Sequence, residues 1–99
     1  MKYRILKTPE FQNWYAKEAD KSKAQIVDRL SRIETDGHFG TFKDLGDGVL
    51  ELKWLNGRRV YFALVPVSNI LILIGGNKNG QSKDISTAKK LYKRYTDET

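Results

Sequence analysis

Cysteine is absent from this sequence. That removes both a disulfide framework and a thiolate metal site, so the chain must hold itself by packing alone. A reducing, cytoplasmic setting suits such a chain. There is a single histidine, His38, with no second His or Cys beside it, so a zinc reading is rejected and no metal or organic cofactor is expected. Long apolar runs are also missing. The longest, Ile70 to Ile74, is far too short to cross a bilayer. The opening MKYRILKTPEF has neither the apolar core nor the small-residue cleavage site of a signal peptide, so no membrane partner is expected. Acidic residues are in deficit, and the formal charge is +6. That excess favours a polyanionic partner.

What remains is enough for one small domain over residues 1–99. Two Trp, five Tyr and four Phe sit within an apolar share of 39%. Folding a chain of this length buries about 60–70% of its unfolded surface. The sequence shows no internal repeat and no low-complexity linker.

Lys2 to Lys7 alternates and predicts a first strand. Thr8-Pro9-Glu10 combines a good N-cap, a residue pre-set for the first helical position and a carboxylate at the positive end of a helix dipole. Phe11, Trp14 and Tyr15 follow on one helical face, as core. A second helix is expected from about Ser22 to Asp36, with Ala24, Ile26, Val27, Leu30 and Ile33 as its stripe and Gly37 as its stop. The two helices form a hairpin on one face of the sheet. HFGTFKDLGDG reads as a loop whose glycines mark turns. They do not form GxGxxG after a strand, so no dinucleotide site is expected.

LELKWLNGRRVYF, from Leu50 to Phe62, reads as a β-hairpin. Asn56-Gly57 is the pair a two-residue type I′ turn asks for. Leu50, Leu52, Trp54, Val60, Phe62 and Leu64 fall on an apolar face. Glu51, Lys53, Arg59 and Tyr61 share the other, with Arg58 at the turn. Pro66 to Asn69 is a further turn, and Ile70 to Ile74 an interior strand covered on both faces. That run should end in Gly75-Gly76-Asn77-Lys78-Asn79-Gly80, where the backbone can adopt conformations closed to other residues. A last helix begins near Ser82–Ile85 and carries Ile85, Ala88, Leu91, Tyr92 and Tyr95, with Lys89, Lys90, Lys93 and Arg94 on its exposed face.

On this layout Lys53, Arg58, Arg59 and Lys78 converge, with Tyr61 among them. Arg grips phosphate oxygens bidentately and Lys supplies a point charge. Such groups can stabilise the negative charge that develops when a 2′-hydroxyl attacks the adjacent phosphate. The same residues serve equally well as exposed charges guarding a sheet edge. For a general acid or base the sequence offers Glu51 and Asp84, or Lys53 with a pKa depressed by its neighbours. It does not choose among them.

GVLELKWLNGRRVYF followed by ILILIGGNKNGQSKDISTAKKL, after one strand and two helices, resembles the RelE/ParE toxin superfamily of bacterial type II toxin–antitoxin modules. The HigB-type branch, the addiction-module killer proteins, is the most similar. The resemblance covers nearly the whole chain. It implies a small α+β domain like microbial ribonucleases, with an N-terminal strand, a helical hairpin, a mostly antiparallel sheet and a C-terminal helix. It implies metal-independent cleavage of mRNA on the ribosome, and neutralisation by a cognate antitoxin, often a helix-turn-helix protein of the HigA kind. Arg59 falls on the superfamily's phosphate-binding arginine, and Lys53 and Lys78 on its basic positions. Arg58, Tyr61, Lys83, Lys89 and Lys90 are the expected further RNA contacts. The C-terminal Tyr or His of some members has no counterpart here, since Asp84 stands near that place. Two other functions share these features: a gyrase poison of the ParE kind, and a non-catalytic basic interaction protein.

Overall fold

The loop between the two hairpin strands sets the register of the sheet. In the computed structural model, which describes residues 2–97, Trp54 N–H bonds to Arg58 O and Gly57 N–H to Trp54 O, each at 3.1 Å. Gly57 has φ +93°, whereas Asn56 stays out of the left-handed region. The expected two-residue type I′ turn is therefore corrected to a three-residue loop, Leu55–Gly57, closed by a glycine bulge. The difference matters because a two-residue loop would put Leu52 opposite Tyr61 and Glu51 opposite Phe62. The observed pairs are Leu52 with Val60, Glu51 with Tyr61 and Lys53 with Arg59. One residue of slip exchanges faces. The extra loop residue is what lets apolar pair with apolar and polar with polar.

In chain order the elements are β1 (Arg4–Lys7), α1 (Pro9–Ala16), α2 (Asp20–Asp36), β2 (Phe42–Asp44), β3 (Leu50–Lys53), β4 (Arg58–Val65), β5 (Asn69–Asn77), a 3₁₀ turn (Lys78–Gly80) and α3 (Gln81–Thr96). The sheet order is β1-β5-β4-β3-β2. β1 pairs with β5 in parallel, and the remaining pairs are antiparallel. The α+β fold with a helical hairpin and a C-terminal helix is the expected one.

Two cores result. On one face Leu52, Val60, Phe62, Ile70 and Ile72 pack under α1 and α2 against Phe11, Ile26, Leu30 and Ile33. On the other, Val49, Tyr61, Ala63 and Leu73 pack under α3 against Ala88 and Leu91. Thr8 caps α1 as its sequence predicts, accepting a hydrogen bond from Phe11 N–H at 3.0 Å. Its hydroxyl also donates to Leu73 O at 2.6 Å, on the stretch of β5 where the register against β4 shifts.

Three other expectations are revised. Ala24 and Val27 lie exposed, and the α2 stripe narrows to Ile26, Leu30 and Ile33. Arg29 fills the gap, stacking on the Trp54 ring at 4.5 Å and reaching Phe39 O, Thr41 O and Lys53 O. The HFGTFKDLGDG segment is not all loop. It holds the edge strand β2, and Phe39 stacks on Phe62 with ring centroids 5.6 Å apart. Finally, β5 does not end at the glycines but runs through Gly75 and Gly76 to Asn77. A side chain at Gly75 would overlap the Trp14 ring, and one at Gly76 the Asp84 carboxylate. These glycines admit close neighbours rather than making a turn.

Candidate functional site

The polar face of the β3–β4 ladder does carry Glu51, Lys53, Arg59 and Tyr61 together, but it is not an open surface. α3 lies over it, and Glu51 and Tyr61 are fully buried. The expectation that Tyr61 meets RNA is therefore corrected, since its side chain has no exposed surface. Burial, together with the negative charges of Glu51 and Asp84, pushes the Tyr61 phenol far above its ordinary pKa.

Glu51 sits at the centre of the cluster. Its Oε2 accepts a hydrogen bond from Gln81 Nε2 at 2.8 Å. Lys53 Nζ lies 4.0 Å from Oε1, and Arg59 Nε 4.0 Å from Oε2. The side chains of Lys53 and Arg59 keep 33% and 14% of their surface exposed. The two cations are direct cross-strand partners, a pairing that by itself repels. Among the described residues, the buried side-chain polar atoms without a hydrogen-bond partner are Glu51 Oε1, Arg59 Nε and Tyr61 Oη. All three belong to this cluster.

The cluster's rim comes from the end of β5 and the start of α3. Gly76 pairs with Arg59, and the half-buried Asp84 carboxylate lies directly over Gly76. Burial pushes the Asp84 carboxyl up, while Lys83 pulls it down. Lys78 is exposed beyond the strand end. Its backbone N–H donates to Gly57 O at 2.8 Å, and its aliphatic stem packs where Gly57 has no side chain.

Arg58 does not join the convergence. It turns to the opposite face, where Nε meets Glu18 Oε1 at 3.0 Å and the guanidinium also reaches Gln25 and Ser22. With its charge taken by Glu18, it is a clamp on the helical hairpin. Lys89 and Lys90 stand about 12 Å farther along α3 than Gln81, and Lys89 pairs with Asp47 at 3.2 Å. Lys83 is exposed on the first turn of α3. His38 is exposed in its loop. Among the described residues no group of His, Cys, Asp and Glu is arranged to hold a metal, and no helix is long and apolar enough to cross a membrane.

Sequence reasoning assigned no role to Gln81, Arg29 or Glu18. Each acts through a partner between 24 and 40 residues away, a distance at which local patterning carries no signal.

No protein-family model matches the chain. An uncharacterized protein of Haemophilus influenzae is 36% identical over 94 residues, spanning 92% of this chain and 94% of that protein. Among solved structures, the free form of an E. coli RelE toxin carrying two Arg-to-Ala substitutions aligns over 91% of this chain and 97% of that one. Its TM-score is 0.74 and its identity 16%. The RelBE toxin–antitoxin complex from Mycobacterium tuberculosis matches over 78% of this chain and 99% of the other, with TM-score 0.65 and 13% identity. The intact E. coli RelBE toxin–antitoxin complex gives the same TM-score and identity over 76% and 95%. The architecture is that of RelE toxins.

Proposed function

The chain belongs to one family with the Haemophilus influenzae protein and has the RelE fold, and from this premise we propose that it is the toxin of a type II toxin–antitoxin module. In this reading it is of the HigB type and cleaves mRNA on the ribosome. The observation that carries the reading is the Lys53–Arg59 pair, held on adjacent strands on either side of the Glu51 carboxylate.

The chemistry is attack of a 2′-hydroxyl on the adjacent phosphorus. The 2′-hydroxyl gives up its proton to solvent as the new O–P bond forms and the bond to the 5′-oxygen breaks, and the leaving oxygen takes up a proton, leaving a 2′,3′-cyclic phosphate and a 5′-hydroxyl. Arg59 makes two parallel bonds to the phosphate and keeps them as charge grows. Lys53 and Lys78 add point charge, and Lys83 draws the strand in. Asp84, exposed enough to be reached and held above its ordinary pKa by burial, is the group best suited to move a proton at the leaving oxygen. The cations do the electrostatic work here, and cleavage in this reading persists in EDTA. The partner that restrains the protein is an antitoxin of the helix-turn-helix, HigA-like kind.

Expression without an antitoxin should arrest growth, and primer extension should find new 5′ ends within coding regions. Arg59→Ala should abolish both; it also takes a cation from the buried Glu51, so its melting temperature should fall, and circular dichroism at the assay temperature should still show a folded chain. The loss of one such donor is worth about 2.7–4 kcal/mol, or about a hundred- to a thousandfold in rate. Arg59→Lys should rescue only in part, because the charge remains and the fork does not. DNA double-strand breaks with intact mRNA would replace this reading by a gyrase poison. Normal growth at high expression would leave a basic interaction protein.

A further inference from the structure

A fully buried carboxylate between two cations needs a reason. Its desolvation costs several kcal/mol, and an apolar side chain of similar size is often no less stabilising. Glu51 lies under α3, walled by Tyr61 across the ladder, Lys53 and Arg59 at its sides and Gln81 above. A general base must come within about 2.6–3.2 Å of the proton it takes. Glu51 has no exposed surface, and Gln81 already occupies one of its oxygens.

We infer that Glu51 is a positioning residue: it sets the guanidinium of Arg59 and the ammonium of Lys53 side by side, and Gln81, on the first turn of α3, holds Glu51 in place. The inference rests on the phosphodiester reading above and gives that site its internal order. Without the carboxylate, two directly paired cations repel and Arg59 swings away from the ladder. The buried, unpartnered Nε of Arg59 reports this directly, since its proton is shielded only while the guanidinium stays against the ladder.

The experiment uses the full chain and two variants, Glu51→Gln and Gln81→Ala, with circular dichroism as fold control. The first readout is the Arg59 Nε–H resonance and its hydrogen exchange, which needs no RNA. Exchange should be slow in the parent, faster in Gln81→Ala and fastest in Glu51→Gln. The second is the pH–rate profile of RNA cleavage. Glu51→Gln should slow cleavage about a hundredfold, the scale of a misplaced catalytic group, and Gln81→Ala about tenfold, the scale of one lost hydrogen bond to a charge. Both should keep the acidic limb of the parent's profile.

Unchanged Arg59 exchange in both variants would overturn the inference. So would loss of the acidic limb in Glu51→Gln, which would make Glu51 the base. If Glu51→Gln fails to fold, Gln81→Ala decides, since Gln81 is partly exposed at a helix start. If the parent cleaves no RNA, the proposed function fails, and the Arg59 resonance still decides whether Glu51 positions it.

Discussion

A methyl group at Gly75 and one at Gly76 would meet different neighbours, and the consequences differ. At Gly75 it strikes the Trp14 ring, which is packed against the helical core. Gly75→Ala should therefore cost about 1–3 kcal/mol, the usual penalty of overpacking, visible as a lower midpoint in urea unfolding. At Gly76 the obstacle is the Asp84 carboxylate, the flexible end of a side chain that can move aside. Asp84 itself makes a prediction about pH. Its folded pKa is raised, so the folded chain binds that proton more tightly than the unfolded one. As pH rises from the ordinary aspartate value to the raised folded value, its contribution to stability falls. Asp84→Asn should remove that descent, and melting temperatures of the two proteins across the acid range check it. The aspartate and the glycines are visible in the sequence. That they touch is not, because the contact joins a helix to a strand it merely covers.

At the scale of the elements, one side chain both caps α1 and ties its start to β5. Thr8 accepts from Phe11 N–H and donates to Leu73 O. Its role as a cap is legible in Thr8-Pro9-Glu10, since the helix start is a local signal. Its bond to β5 joins residues 65 apart and is not legible at all. Thr8→Val keeps the shape and removes both bonds. It should cost about 2 kcal/mol, the upper end for losing a cap, whereas Thr8→Ser should stay close to the parent. Chemical denaturation of both variants provides the measurement. The hairpin loop shows the same division. Alternation of Leu50, Leu52, Val60 and Phe62 places the faces correctly, yet a two-residue turn at Asn56-Gly57 is incompatible with those faces by one residue. Pairing across the strands, not the turn dipeptide, decides the register.

At the scale of the whole molecule the charge of +6 is a statement about partners, and the ion pairs say which charges are free to act. For single-stranded nucleic acid each neutralised phosphate adds about 0.7 to the slope of log affinity against log salt. Lys78→Ala should lower that slope by about 0.7. Arg58→Ala should leave it nearly unchanged, because Glu18 already takes that charge, and should instead loosen the helical hairpin. Fluorescence titrations with a 2′-deoxy oligonucleotide from low to physiological salt separate the two. The sequence by itself determined the order of every element except β2, the two faces of the central hairpin, the caps at Thr8 and Gly37 and the excess of positive charge. All of these follow from neighbours a few residues apart. Only the tertiary structure decided that α3 closes over the polar face, burying Glu51 and Tyr61 and leaving Lys53 and Arg59 at its edge. The same holds for Arg58, which faces the helices rather than the site. Both outcomes depend on which element covers which face, and that choice is made by the packing of the two cores, where local periodicity no longer distinguishes a solvated polar face from a buried one.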